Sequence, residues 1–321
     1  MDTRRLRSFV KIVDTGSLTR AAAILHIAQP ALSQQVAALE AQFGQRLLIR
    51  SKRGVAPTEA GRALYRHAQL ILRQVAQAQS DVSQSGSQLS GLVSIGLAPY
   101  STGGELALPL LRLVRARYPR IVLHINENFG GVISEMVMTG RMDMAVIYEP
   151  GAIRGVTFKP LFEEALVLAV PASFAIAGTG QATVPLTALA SVPLMLPSRI
   201  HTIRQVVEQA FARARIEPTL TAEIESVATL GSALATGLGA TILPWSAARR
   251  VAGEADVALR RIVRPEIRVK VSLCTADQLA ISDAALAVRD LVFELVDALP
   301  ADGNEGRARL HVRPGPDAQG A

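Results

Sequence analysis

Residues 16–35 read GSLTRAAAILHIAQPALSQQ, and this segment predicts two short helices separated by a tight turn. Ser17 offers a hydroxyl that can cap a helix at residues 18–26. Pro30 favours the start of a second helix at residues 29–43, because the N–H that proline lacks has no helical partner in the first turn. Two short helices joined in this way are typical of a helix-turn-helix.

The second of these helices has two different faces. Four apolar residues form a narrow stripe that we expect to face the core: Leu32, Val36, Leu39 and Phe43. The opposite face carries small or amide side chains and almost no charge: Pro30, Gln34, Ala37 and Ala41, with Ser33 at its flank. Gln can bind adenine through two hydrogen bonds in the major groove, and Ser can donate to several bases. This face favours DNA reading, and a plain helical subdomain with an Ala-rich surface is the alternative.

The sequence on either side completes a small domain. Residues 3–15 place apolar side chains at helical spacing, and Gly16 is a typical helix stop. Residues 47–57 contain two short apolar runs around a basic turn, which predicts a β-hairpin wing. Its bases would face phosphates or an adjacent minor groove: Arg50, Lys52 and Arg53. A basic turn by itself is usually a solvated loop, so this interpretation depends on the neighbouring helix.

A long helix follows the wing. Thr58 can cap it at Glu59, and apolar residues then recur at alternating spacings of four and three: Leu64, Ala68, Ile71, Val75, Ala78 and Val82. This heptad seam predicts a dimer through a partner helix. Packing onto the protein's own body is the alternative. Residues 83–88 are polar and predict a hinge.

The formal net charge of +7 lies in the N-terminal quarter of the 321-residue chain. Residues 1–90 contain 12 Lys and Arg against 5 Asp and Glu, whereas residues 91–321 contain 22 of each. A basic module on a neutral body suggests a polyanion-binding head attached to a separate unit. The length of the chain also suggests about two domains.

Composition excludes several classes of protein. Cys274 is the only cysteine, which excludes a disulfide framework and a multi-cysteine metal site, and we expect it in the core. The first 30 residues lack the apolar stretch of a signal peptide, and no apolar run reaches the roughly 18 residues of a membrane span. We therefore expect a soluble, cytoplasmic protein. Aromatic residues at 4% disfavour base stacking in a single-strand or RNA-binding module.

The body alternates between strand and helix patterns. Strands are predicted at 92–97, 121–126 and 144–148, with helices at 105–118 and 132–139 between them. Repeated alternation of this kind implies a parallel sheet covered by helices.

A second lobe follows at about residues 163–266. Residues 158–171 would cross into it, and the strand-rich segment 257–275 would cross back. Two α/β lobes joined by two crossings predict a ligand cleft. We therefore divide the chain into a winged helix-turn-helix domain (1–58), a dimerising helix with a hinge (59–90), a two-lobed α/β body (91–300) and a disordered tail (301–321).

Two loops before predicted helices could bind an anion, because helix N-termini present N–H groups. The first contains Pro99, Ser101 and Thr102, whose hydroxyls could hold a carboxylate. Thr102 and Glu105 also fit a capping box, in which the hydroxyl serves the helix instead, and both interpretations stay open. The second loop contributes Ser198, Arg199 and Thr202. Ser198 or Thr202 could equally be a helix cap.

Enzyme motifs are missing from the sequence. The five His residues lack metal-ligand spacing, and Gly237-Leu238-Gly239 follows a predicted helix instead of a strand. Neither a nucleophile elbow nor a P-loop is present. We therefore predict no catalytic residues, no metal and no cofactor, and a small-molecule co-inducer is the one ligand that the cleft could take.

The motifs of the head resemble those of the LysR-type transcriptional regulators. The shared motifs span about 60 residues: Gly16-Ser17-Leu18-Thr19-Arg20-Ala21-Ala22, Gln29-Pro30-Ala31-Leu32-Ser33-Gln34, Leu39-Glu40, Arg53-Gly54 and Thr58-Glu59-Ala60-Gly61. The two-lobed body is similar to that family's effector domain, which resembles periplasmic binding proteins. Within the family, segments 25–36, 47–50, 94–99 and 223–244 most resemble the nitrogen assimilation control subgroup.

The resemblance implies a homo-oligomer, usually a tetramer, that binds an interrupted dyad in double-stranded promoter DNA and contacts RNA polymerase. The predicted DNA-binding residues are Ser17, Thr19, Arg20, Gln29, Pro30, Ser33, Gln34, Arg50, Lys52 and Arg53. The family's usual effector contacts map to Ser101 and Thr102, whereas the subgroup acts without a known small-molecule inducer. Leu48 and Gln35 depart from the family's pattern, and Gln35 weakens the expectation of one phosphate contact because a basic residue is frequent there.

Three hypotheses follow. The chain is a DNA-binding regulator without an effector, in nitrogen metabolism if the subgroup resemblance holds, or the same regulator gated by a small organic anion. The third hypothesis is an unrelated solute-binding or enzymatic α/β protein with an incidental head. Only the third predicts no salt-dependent binding to duplex DNA.

Overall fold

The computed structural model describes residues 2–51, 54–83, 89–174, 176, 182–253, 256–299 and 307–309. They fold into two compact units, of which the second begins at Leu89.

The first unit begins as a three-helix head with a hairpin. Its elements are α1 (Thr3–Thr15), α2 (Leu18–Leu25), α3 (Gln29–Phe43), β1 (Leu48–Ser51) and β2 (Gly54–Pro57). Gly16 and Gly44 end the first and third helices in the left-handed region, at φ 60° and 61°. The strands pair antiparallel, with Leu48 opposite Pro57 and Ser51 opposite Gly54. The predicted helix-turn-helix and wing are therefore confirmed.

The core of the head is apolar and shared by all three helices. Its fully buried members include Leu6, Phe9, Ile12, Ala21, Leu32, Val36, Leu39 and Leu47. The expectation that Phe43 belongs to this core is wrong, because 44% of its surface is exposed. Phe43 is the last residue of α3, and Leu47, beyond the turn at Gly44, contributes the next buried side chain.

The long helix α4 runs from Glu59 to Ser83. Thr58 caps it as predicted, since its hydroxyl accepts a hydrogen bond from the Gly61 N–H at 2.9 Å. The predicted hinge extends into residues 84–88, which lie outside the described residues.

The second unit opens with a parallel lobe. Its elements are β3 (Ser90–Leu97), a short 3₁₀ helix (Thr102–Leu106), α5 (Ala107–Arg117), β4 (Arg120–Glu127), α6 (Gly130–Met138) and β5 (Met144–Tyr148). Strand β3 lies between β4 and β5 and is parallel to both. The predicted alternation of strands and helices is confirmed.

One long strand, β6 (Val156–Pro171), then leads into the second lobe. That lobe contains β7 (Thr183–Pro185), a 3₁₀ helix (Leu186–Leu189), β8 (Pro193–Leu196), α7 (Thr202–Arg213), β9 (Thr219–Glu223), α8 (Val227–Ala235), β10 (Thr241–Pro244), α9 (Trp245–Ala252) and β11 (Val257–Val263). Strands β10 and β11 both pair antiparallel with the second half of β6. The sequence patterns did not predict β7, β8 or α9.

The chain returns to the first lobe through β12 (Arg268–Ala276), which is followed by α10 (Asp283–Ala298). Strand β12 pairs antiparallel with both β5 and the first half of β6, so the two predicted crossings are present. A last strand, β13 (Arg307–Arg309), pairs with β6 at Phe162–Glu164. The predicted disordered tail is therefore corrected at these three residues, and the rest of it lies outside the described residues.

Candidate functional site

The outer face of α3 lies on the surface of the head. Gln29, Pro30 and Gln34 are exposed, and Ser33 is partly exposed beside them. The Gln29 Nε2 donates to the Ser33 Oγ at 3.2 Å, so these two side chains are held together across one helical turn. The surface that the sequence predicts for base reading is thus accessible, and it is free of charged side chains.

The N-terminus of α2 carries the other predicted contacts. The Ser17 hydroxyl accepts the Arg20 N–H at 3.3 Å and therefore acts as the helix cap. Thr19 and Arg20 are exposed, and the Arg20 guanidinium donates to the Thr15 carbonyl at 2.7 Å. Thr19 and Arg20 are consequently the side chains of this turn that face solvent.

Gln35 has a structural role that the sequence patterns missed. Its side-chain oxygen accepts the hydroxyl of buried Ser8 at 2.5 Å and ties α3 to α1. A family member with a basic residue at this position cannot make the same bond, because Lys and Arg are donors only.

The wing is fastened to the turn between α1 and α2. The Val55 N–H donates to the Gly16 carbonyl at 2.9 Å. Gly54 has φ +123°, and a Cβ at that position would lie 2.7 Å from the same carbonyl oxygen. Only glycine fits this close approach. Arg50 is exposed on β1, and Lys52 and Arg53 lie outside the described residues.

Glu40 connects the reading helix to the wing. One of its carboxylate oxygens accepts the backbone N–H groups of Leu47 at 2.8 Å and Leu48 at 3.2 Å. Hydrogen bonds from two N–H groups to a charged acceptor are stronger than neutral ones. These bonds fix the start of β1 relative to α3. No local sequence pattern at Glu40 predicts this role.

The predicted dimerisation seam is buried near the start of α4 and exposed towards its end. Leu64 and Ala68 are buried in the head's own core, and Ile71 packs against that core. Val75 is partly buried, Ala78 is exposed, and Val82 is 78% exposed. The first part of the seam thus serves the head, and pairing through the later part stays a prediction.

In the second unit, Thr102 faces a buried carboxylate. Its hydroxyl donates to Glu164 on β6 and lies 2.7 Å from the Ser246 Oγ. The Tyr148 hydroxyl donates to the other Glu164 oxygen at 2.8 Å. The capping-box prediction is wrong, because Thr102 lies inside the 3₁₀ helix and Ser101 occupies the cap position.

Ser101 is also used internally. Its hydroxyl donates to the Ala98 carbonyl at 2.6 Å, and the residue is fully buried. Neither hydroxyl predicted to hold an anion therefore points to open solvent.

The three predicted effector contacts of the second lobe, Ser198, Arg199 and Thr202, lie in different environments. His201 holds the cap position of α7 without a side-chain bond to the helix, so the predicted cap at Ser198 or Thr202 is wrong. The Ser198 N–H donates to Glu225 at 3.3 Å. Arg199 is largely exposed and binds Glu208 at 3.1 Å. Thr202 lines the cleft.

His201 and Glu225 meet aromatic side chains of the first lobe. The His201 Nε2 lies 2.6 Å from a Glu225 carboxylate oxygen, and the Phe129 ring packs edge-on at 4.6 Å between centroids. Burial raises the pKa of Glu225, but the hydrogen bonds from Ser198 and His201 outweigh burial and leave the pKa below its ordinary value. Burial, with the nearby Glu225 charge, raises the pKa of Tyr100 to about 12.

One small pocket lies in the cleft between the lobes. It is lined by Ala98, Pro99, Gly130, Tyr148, His201, Thr202 and Ile203, and its volume is about 10 Å³. That is room for a single water molecule, whereas pockets for small molecules usually exceed about 300 Å³. The described residues include no cluster of three potential metal ligands. Across the same ranges, no helix has the length and apolar character to span a membrane.

Two family models match the chain. The bacterial regulatory helix-turn-helix protein model of the lysR family matches residues 3–62, and the LysR substrate binding domain matches residues 86–297. The chain belongs to the LysR family. It is a DNA-binding transcriptional regulator with an N-terminal helix-turn-helix and a two-lobed α/β effector domain.

Relatives of similar length support this assignment. The nitrogen assimilation regulatory protein nac of Escherichia coli strain K12 is 46% identical over 302 residues, which covers 93% of this chain and 96% of that protein. The protein of the same name from Klebsiella aerogenes is 44% identical, with 95% and 98% covered. A full-length OxyR variant from Pseudomonas aeruginosa has a TM-score of 0.71 at 25% identity, with 98% and 99% covered.

In this LysR-family effector domain, the predicted effector contacts already have protein partners. Ser101 bonds the Ala98 carbonyl and Thr102 bonds Glu164. The sequence patterns gave no signal for Glu164 or Ser246, which lie 62 and 144 residues from Thr102 along the chain.

Proposed function

We propose that this regulator reads promoter DNA with α3 in the major groove and with its wing against the backbone. The observation that carries the proposal is the exposed, uncharged face of α3 beside exposed arginines on α2 and β1. Charge then supplies affinity for phosphates, and the amide and hydroxyl groups select bases. The residues proposed for contact are Ser17, Thr19, Arg20, Gln29, Pro30, Ser33, Gln34, Arg50, Lys52 and Arg53.

We further propose a dimer or tetramer on an interrupted dyad. Two heads related by a two-fold axis match two half-sites, and the exposed end of the α4 seam offers a surface for the partner helix. Contact with RNA polymerase completes the proposal, with the protein acting in the cytoplasm.

The relatives favour nitrogen metabolism as the regulated process. Both nac proteins carry nitrogen assimilation in their names and match nearly the full length of this chain at 46% and 44% identity. The two-lobed body supports regulation without an added anion, because the Thr102 and Ser101 hydroxyls bond groups of the chain itself.

Binding to promoter fragments tests the DNA-reading proposal. In a footprint, wild-type protein should protect an interrupted dyad, with affinity that falls steeply as salt rises. Gln34→Ala should cost about 1–3 kcal/mol at one base position and little on operators altered there. Gln42→Ala, an exposed glutamine later on the same helix, is the matched control and should leave binding unchanged.

An equal loss for Gln34→Ala on every operator would contradict its role as a base reader. Absence of salt-dependent duplex binding by the wild-type protein would contradict the whole proposal.

A further inference from the structure

Glu164 places a carboxylate in the interior of the effector domain. It lies on β6, is 2% exposed and is followed by the buried residues Ala165 and Leu166. Removing a carboxylate from water is costly unless hydrogen bonds replace the lost hydration. A buried Glu on a strand therefore requires dedicated donors.

Hydroxyl groups from two separate elements donate to this carboxylate, and a third hydroxyl contacts one of those donors. Tyr148, at the end of β5, has one O–H proton that lies within reach of Glu164 Oε1 at 2.8 Å and of the Tyr100 carbonyl oxygen at 3.1 Å, the carboxylate being the nearer acceptor. Thr102, in the 3₁₀ helix, donates to Oε2. With Glu164 ionised, the single Thr102 proton is used on the carboxylate, and the Ser246 hydroxyl at 2.7 Å is then the donor to Thr102. In that arrangement the hydrogen bonds run from Ser246 to Thr102 to the carboxylate.

Both direct donors belong to the first lobe, and the second lobe contributes a hydroxyl that contacts Thr102. Thr102 and Tyr148 belong to the first lobe, and Ser246 belongs to α9 of the second. Two hydroxyls that donate to the two oxygens of one carboxylate, with a third hydroxyl from the other lobe against Thr102, have the chemistry to hold a carboxylate ligand. In this chain the bound group is the carboxylate of Glu164, which lies on β6, the strand that joins the lobes.

We propose that Thr102, Tyr148 and Ser246 form a carboxylate-binding site that the protein fills with its own Glu164, and that removing this side chain converts the site into one for a small free monocarboxylate. The role of this occupancy in gene regulation rests on the proposed function. The existence of the carboxylate-binding site does not depend on that function.

Size points to acetate as the probe. Glu164→Ala removes Cγ, Cδ and both oxygens, which are the same four heavy atoms as in acetate. The cleft beside Tyr148 has a volume of about 10 Å³ and adds little further room. A longer or branched carboxylate should therefore bind less well than acetate. With only four heavy atoms, acetate should saturate at concentrations on the order of 1–100 mM.

The experiment uses the full-length protein. Glu164→Ala should melt several degrees below wild type, and sodium acetate should restore most of the loss where sodium chloride at equal ionic strength does not. Trp245, the only tryptophan, precedes Ser246 directly and should report saturable acetate binding by fluorescence. Glu163→Ala is the matched control, because Glu163 is one-third exposed on the opposite face of β6 and should show no acetate response.

Two further variants complete the design. Glu164→Gln fills the space, so it should not respond to acetate. Thr102→Val in the Glu164→Ala background removes a donor and should abolish the response. Equal responses to acetate and chloride, or an acetate response of the same size in Glu163→Ala, would overturn the proposal.

Should Glu164→Ala fail to fold, the melting temperatures of Thr102→Val, Glu164→Gln and the double variant decide the question. The proposal requires that the two losses are not additive, because both remove the same bond. Additive losses would overturn it. Promoter binding by Glu164→Ala with and without acetate is a separate readout, and its failure alongside a positive acetate titration would count against the proposed function only.

Discussion

Gly61→Ala should destabilise the head although alanine is the better helix former. A Cβ at this position would lie 2.0 Å from the Leu47 carbonyl oxygen and 3.2 Å from the Pro57 Cβ. An ordinary contact begins at 3.4 Å, so the helix or the wing must move by about 1.4 Å. The Leu47 carbonyl accepts the Thr58 N–H at 3.0 Å, and the Thr58 hydroxyl donates to the Arg46 carbonyl at 2.7 Å, so the movement disturbs anchored backbone.

The expected loss of stability combines two destabilising contributions and one stabilising contribution. Overpacking costs about 1–3 kcal/mol and a weakened hydrogen bond about 1 kcal/mol, against a helix-propensity gain of about 1 kcal/mol for Ala over Gly. The net expectation is a loss of about 1–3 kcal/mol. With a urea dependence of about 2 kcal/mol per molar, the unfolding midpoint of the head should fall by about 0.5–1.5 M.

Two spectroscopic signals recorded in one urea titration distinguish the unfolding of the head from the unfolding of the effector domain. Circular dichroism follows both units, whereas the fluorescence of Trp245 follows the effector domain alone. The variant should shift the head transition and leave the Trp245 transition in place. Gly131→Ala is the control, because nothing lies within 4 Å of the added Cβ, and it should be neutral or slightly stabilising. An unchanged or stabilised head in Gly61→Ala would refute the reasoning.

Two further predictions concern the effector domain. Burial raises the pKa of the Cys274 thiol to about 12, so the native protein should resist iodoacetamide at about pH 8 and be fully alkylated in urea, and rapid labelling of the native protein would contradict this. The pKa of Glu225 is lowered from 4.5, so its stabilising contribution is present above that value and is lost as pH falls through the lower, folded-state pKa. Glu225→Gln should therefore melt below wild type at neutral pH, and the difference should shrink in the acid range below about pH 4.5; a difference that stays constant into that range would count against the assignment.

Local chemistry explains what could be predicted from sequence. Gly16, Ser17, Pro30 and Thr58 each act on a neighbouring turn, and the structure begins or ends its helices at these residues. The alternation of strands and helices in the body likewise depends on short segments, so its first lobe followed from pattern alone.

The remaining features depend on contacts between distant residues. Phe43 continues an apolar stripe, yet the chain turns at Gly44 and leaves it exposed. Thr102 and Glu105 fit a capping box, but the Thr102 hydroxyl instead bonds Glu164, 62 residues away. A single sequence contains no local signal for such a pair, which is why the bond between Thr102 and Glu164 could not be predicted.

Proteins with the LysR fold can respond to different signals, and the buried residues of this effector domain restrict which signal it can respond to. The match to OxyR at 25% identity relates two folds and not what activates the two proteins. A thiol that reacts with peroxide needs an accessible thiolate, whereas Cys274 is buried and its pKa lies near 12. An anionic effector needs donors and space, whereas Thr102 and Tyr148 donate to Glu164 and the pocket beside Tyr148 measures about 10 Å³. A ligand that takes the Thr102 and Tyr148 hydroxyls must therefore displace the protein's own carboxylate.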